Sequence, residues 1–166
     1  MIFKNLTKNF YISSLIIFVI FLLDRISKIY VINLASKNYT SELFSSKFLN
    51  INLIWNEGIA FGLLSFDQSD LYNILTSIIA LIIVIVFFMI VKNNNIKRYP
   101  LLMIFGGALG NLYDRIFFKA VPDFIDFHVG EFHWFIFNVA DIFISIGVIF
   151  MILLELIGSN KDNEKI

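Results

Sequence analysis

Four long apolar runs dominate the chain, at residues 10–32, 71–91, 99–118 and 135–157. Each is close to the ~20 residues that a helix needs to cross a bilayer. The polar tract Lys92-Asn93-Asn94-Asn95 separates the second run from the third. The third contains Gly106, Gly107 and Gly110, and Gly106-x-x-x-Gly110 is a spacing that lets helices approach closely. Between the first and second runs the period changes. Leu49, Ile51, Leu53 and Trp55 alternate with Asn50, Asn52, Ile54 and Asn56, which is a strand pattern. The expected fold is an all-α membrane protein with four transmembrane helices. It forms a single polytopic domain over residues 1–166, with a small extracytoplasmic β-sheet, over about 43–66, resting on the membrane surface.

Composition supports this reading. Of the 166 residues, 58% are hydrophobic and 16% charged, with a mean hydropathy of +0.81, far too apolar for a soluble domain. The formal net charge is zero, so nothing points to nucleic acid. The absence of cysteine excludes disulfides, thiolate metal sites and a cysteine nucleophile. Lys4 and Lys8 before an apolar run resemble a signal peptide, but Asp24, Arg25 and Lys28 sit late in that run, and a retained first span is expected. Basic residues set the orientation. One side holds Lys4, Lys8, Lys92, Lys97, Arg98, Lys161 and Lys165. The other holds Lys37, Lys47 and Lys119, diluted by Glu42, Glu57, Asp67, Asp70, Asp126 and Glu131. Both termini are therefore expected in the cytoplasm, with Trp55 and Trp134 as outer interfacial anchors.

The polar residues inside or beside the runs converge on one layer. Asp24, Arg25 and Lys28 lie in the outer half of the first span; Asn111, Asp114 and Arg115 lie in the outer half of the third. Asp123 follows the third span. Asn138 and Asp141 are expected inside the first turns of the fourth, with Asp141 roughly 10 Å below its start. Asp24 and Lys28 are spaced i, i+4 and can pair. Asn138 and Asp141, spaced i, i+3, point the same way. An ionisable group at membrane depth is a functional-site hypothesis by default. Two carboxyls in a poorly solvated place tend to share one proton, which is aspartic-protease chemistry. Asp126 competes with Asp123 for that role. His128 and His133 form a candidate metal pair with nothing to complete a ligand set, and no metal or cofactor is expected. A proton-coupled transporter using the same carboxylates is the alternative reading, although no inner-side polar relay or inverted repeat accompanies it.

Five blocks in order then resemble the lipoprotein signal peptidase family, signal peptidase II. They are Asp24-Arg25-Ile26-Ser27-Lys28, Asn56-Glu57-Gly58-Ile59-Ala60-Phe61-Gly62, Gly106-Gly107-Ala108-Leu109-Gly110-Asn111-Leu112-Tyr113-Asp114-Arg115, Val121-Pro122-Asp123-Phe124 and Phe137-Asn138-Val139-Ala140-Asp141. The resemblance covers nearly the whole chain. It implies an aspartic endopeptidase of the bacterial cytoplasmic (inner) membrane, with its site near the outer leaflet. It also implies a diacylglyceryl-modified prolipoprotein substrate cut before the lipid-bearing cysteine, and inhibition by globomycin-type cyclic peptides. Asp123 and Asp141 map onto the catalytic pair. Asp24, Lys28, Asn56, Gly58, Asn111, Asp114, Arg115 and Asn138 map onto positions that bind substrate or support the site.

Overall fold

The computed structural model describes residues 2–58 and 68–163. In chain order these form α1 (Ile2–Asn38), β1 (Glu42–Ser45), β2 (Leu49–Asn56), α2 (Gln68–Lys92), α3 (Arg98–Phe118), β3 (Val121–Val129), β4 (Phe132–His133) and α4 (Val139–Asn163). Ile59 to Gly62 of the second motif, and the end of the expected outer β-region, lie outside the described residues.

The helices follow the apolar runs. Among the described residues, 70–92, 98–118 and 139–157 are long and apolar enough to cross a membrane by length and composition. The first expected span lies within α1, a longer helix that carries Asp24, Arg25 and Lys28. Outward-facing Phe18, Leu22, Ile82, Phe88 and Ile152 are exposed, as lipid-facing side chains would be. The core is formed by Val86, Ile90, Leu101 and Leu102, with Ile16, Ile104 and Met151 packed against it. Pro100 fits the first turn of α3, where no intrahelical N–H bond is lost. The helix ends on Lys119 in a left-handed conformation (φ 59°), which turns the chain into β3.

α3 contacts each of the other three helices. A side chain at Gly110 would bring its Cβ within 2.5 Å of Asp24 Oδ2, so this glycine is what admits the α1 carboxylate against α3.

Two features differ from the sequence expectation. The fourth helix begins at Val139, not near residue 135, because Phe137 instead bridges to Ile125 as extended chain. Asp141 is thus in the first turn, only about 3 Å along the helix, and not deep within it. The sheet is also larger than expected. Its antiparallel order is β1-β2-β3-β4, and β3 supplies the long strand after α3. β2 pairs with β3 through Ile54↔Asp123, Trp55↔Pro122 and Asn56↔Val121. Asp123 is therefore on a strand beside Asn56.

Candidate active site

Two polar clusters meet where α1, α3, β3 and the start of α4 come together. The first is ionic. Lys28 Nζ lies 2.8 Å from Asp24 Oδ1 and 2.7 Å from Asp114 Oδ2. Arg25 forks onto both Asp114 oxygens and also reaches Asp24 Oδ2 at 2.8 Å. Asp24, Lys28 and Asp114 are fully buried. Two cations balance two carboxylates, and the forked Arg geometry suits a buried pair. Asp24 Oδ1 also accepts the Ala140 N–H at 3.1 Å, which ties α1 to the start of α4.

The second cluster is held by amides. Asn56 Nδ2 donates to Asp123 Oδ2 at 2.8 Å, and Asn138 Nδ2 donates to Asp123 Oδ1 at 2.6 Å. Asn111 Nδ2 donates to Asp141 Oδ1 at 2.8 Å. Asn138 and Asp141 also cap α4 reciprocally. The Asn138 N–H donates to Asp141 Oδ2, and the Asp141 N–H donates to Asn138 Oδ1, each at 3.1 Å. Among the described residues, no cation bonds either Asp123 or Asp141.

Asn111 joins the clusters. Its Oδ1 accepts Lys28 Nζ at 2.9 Å and Asn138 Nδ2 at 3.2 Å. Lys28 can only donate, so it fixes the oxygen side of the amide and turns Nδ2 toward Asp141. Burial pushes the Asp123 carboxyl above its ordinary aspartate range. The Asn56 and Asn138 donors oppose the rise, the Asp141 charge adds to it, and the Lys28 charge pulls it down.

Asp123 is buried, whereas Asp141 is half-buried and lines an open cavity of about 560 Å³. The cavity wall is apolar and aromatic, with Phe48, Phe127, Trp134, Phe137 and Ile142.

The remaining expected site residues are placed as follows. Gly58 has φ +76° and donates its N–H to Asn56 Oδ1 at 2.7 Å, so it fixes the amide that holds Asp123. Arg115 stands outside the ionic cluster. It donates to the Asn111 carbonyl at 3.4 Å, and among the described residues its buried Nε has no partner. Asp126 is buried, but it accepts from Asn50 (3.3 Å) and faces His133 Nδ1 (2.9 Å), away from Asp141. The rings of His128 and His133 stack at 4.9 Å. Sequence reading missed Arg25 as the main partner of Asp114. The i, i+4 rule picked out Asp24 and Lys28, and nothing local pairs residue 25 with a residue on another helix.

Polar clusters at one end of a bundle of apolar helices, with Asp141 opening on an apolar cavity, define a membrane protein with an ionisable site. A family model described as Signal peptidase (SPase) II matches residues 16–157. A lipoprotein signal peptidase of Pelagibacter ubique (strain HTCC1062) is 55% identical over 159 residues, covering 95% of this chain and 96% of its own. One from Aquifex aeolicus (strain VF5) is 44% identical, covering 81% of this chain and 79% of its own. A bacterial membrane enzyme solved in meso at 1.9 Å superposes with a TM-score of 0.70 at 32% identity, covering 87% of this chain and 91% of that one. The chain belongs to the signal peptidase II family. It is a bacterial membrane peptidase, of a family whose characteristic class is aspartic, and this sets aside the transporter reading.

Proposed function

We propose that the protein is an intramembrane aspartic endopeptidase that cuts diacylglyceryl-modified prolipoproteins before the lipid-bearing cysteine, with Asp123 and Asp141 as its catalytic pair. The observation that carries this reading is that both carboxyls are held by amide donors, with no cation bonded to either among the described residues, and that Asp141 lines an apolar cavity. Two such carboxyls do not both ionise readily, so the pair holds one proton and titrates as a unit. The ionised partner takes a proton from a water held between them. The protonated partner donates to the scissile carbonyl oxygen, and a tetrahedral intermediate forms without a covalent adduct. Asn138 and Asn111 position the carboxyls. The Arg25–Lys28–Asp24–Asp114 cluster is structural support, and Arg115, outside that cluster, meets substrate.

In this reading α1 is also a span, which gives four, with both termini cytoplasmic in the inner membrane. The sheet then rests on the outer surface, where a lipid-anchored cysteine presents its neighbouring peptide bond. The aromatic cavity beside Asp141 suits apolar substrate, and globomycin-type peptides would compete there. Purified protein should cleave a diacylglyceryl-modified prolipoprotein and leave the unmodified precursor largely intact. Equal rates on both would overturn the substrate assignment. Cysteine placed at Lys119 should react with an impermeant maleimide on spheroplasts, and cysteine at Asn94 only after lysis; the reverse would overturn the topology.

A further inference from the structure

At the opposite end of the bundle, a second cavity of about 310 Å³ opens between the start of α1 and the α2–α3 turn. It is more polar than the cavity beside Asp141. Asn9, Ser13, Asn94, Asn95 and Arg98 line it, with no carboxylate. Ser13 and Asp24 are separated by roughly 16 Å along α1, at about 1.5 Å per residue, so this cavity is remote from the carboxylate pair.

Arg98 is the unexplained group. Its Nε is buried without a hydrogen-bond partner, and among the described residues no carboxylate pairs with its guanidinium. The adjacent Lys97 is already taken by Glu155 at 2.6 Å. The backbone does not supply the donors here. The Arg98 and Tyr99 N–H groups are used within the turn, on the Asn95 and Ile96 carbonyls, and Pro100 has none. What remains is a guanidinium fork with hydroxyl and amide groups around it, a set that matches a phosphate diester. Ile12, Ile96 and Tyr99 line the same cavity and are exposed, so the polar pocket has apolar edges. A free phosphate has no use for those edges, whereas a phospholipid lays its chains along them.

We propose that this pocket binds the head group of an anionic phospholipid, with Arg98 gripping the phosphate, in the leaflet opposite the carboxylate pair. A zwitterionic lipid carries its own cation and leaves the Arg98 charge less well matched. The expected preference is about five-fold for one basic residue near the surface.

The test is retention of phosphatidylglycerol against phosphatidylcholine by the full chain in detergent, read by native mass spectrometry. Wild type should prefer phosphatidylglycerol about five-fold. Arg98→Gln should bring the ratio near one, while Lys47→Gln, on the opposite side, should leave it unchanged. No preference in wild type, or an unchanged preference in Arg98→Gln, overturns the proposal. A probe that keeps Arg98 guards against misfolding of that variant. A fluorophore on Ile96→Cys should be quenched more by brominated phosphatidylglycerol than by brominated phosphatidylcholine, and equal quenching overturns it. Inorganic phosphate should not displace the lipid; displacement would assign the pocket to the free anion and overturn the lipid reading.

Discussion

The two polar clusters hold the same kind of residue in opposite electrostatic surroundings. Asp24 and Asp114 are buried against Arg25 and Lys28, charge for charge. Among the described residues, Asp123 and Asp141 receive only amide donors. A carboxylate bonded to a cation is held ionised and is chemically quiet. A carboxyl without a cation in a poorly solvated place is pushed toward its protonated form by burial, which amide donors oppose only in part. In the proposed function the ionic cluster is the scaffold, and the amide-held pair carries the chemistry. Asn111 links them: Lys28 sets its orientation, and its other face meets Asp141.

The sharpest break of this contrast is at the pair itself. Asp123→Asn and Asp141→Asn should each lower cleavage by about 10²–10⁴-fold or more while the protein stays folded. Asp126→Asn should retain activity, because Asp126 is engaged with Asn50 and His133. Retained turnover in either variant of the pair, measured on lipidated substrate, would dissolve the distinction.

The ionic cluster should fail differently. Lys28→Met leaves two buried carboxylates short of a cation and should cost about 3–5 kcal/mol of stability, read as a lowered melting temperature in detergent. A variant that melts like wild type but loses activity would make Lys28 a participant in the chemistry and not scaffold.

A smaller effect separates positioning from capping. Asn138→Ala removes the α4 cap, worth about 1 kcal/mol, and also a donor that favours ionised Asp123. The Asp123 carboxyl should rise further, moving the pH–rate profile upward. The linkage has a definite sign. A carboxyl raised by folding binds its proton more tightly in the native state, so stability falls as pH rises from the ordinary aspartate range through the raised value. The extra loss in Asn138→Ala should be larger at pH 7 than at pH 5, checked by melting at both. An equal loss at the two values would leave only the cap.

These contrasts were partly legible in the sequence. The helices were, because apolar runs of bilayer length have few other physical solutions. The Asp24–Lys28 pair followed from its i, i+4 spacing. β3 was not legible. Val121, Pro122, Phe124, Ile125 and Phe127 show no clean alternation, Pro122 argues against a strand interior, and the partner β2 is distant in sequence. The start of α4 was misplaced because Phe135, Ile136 and Phe137 extend the apolar run past the helix. The signal was present in Asn138-Val139-Ala140-Asp141, whose polar ends are spaced as a capping box. The role of Arg25 rests on a contact between helices that no local rule encodes.

The central claim of the proposed function is that the amide-held pair shares one proton at neutral pH. Infrared spectroscopy of the carboxylic C=O stretch in purified protein reads this directly. The account predicts one protonated-carboxyl band at pH 7 that disappears in both Asp123→Asn and Asp141→Asn and persists in Asp126→Asn. A spectrum without that band, or a band that survives both substitutions, would contradict it.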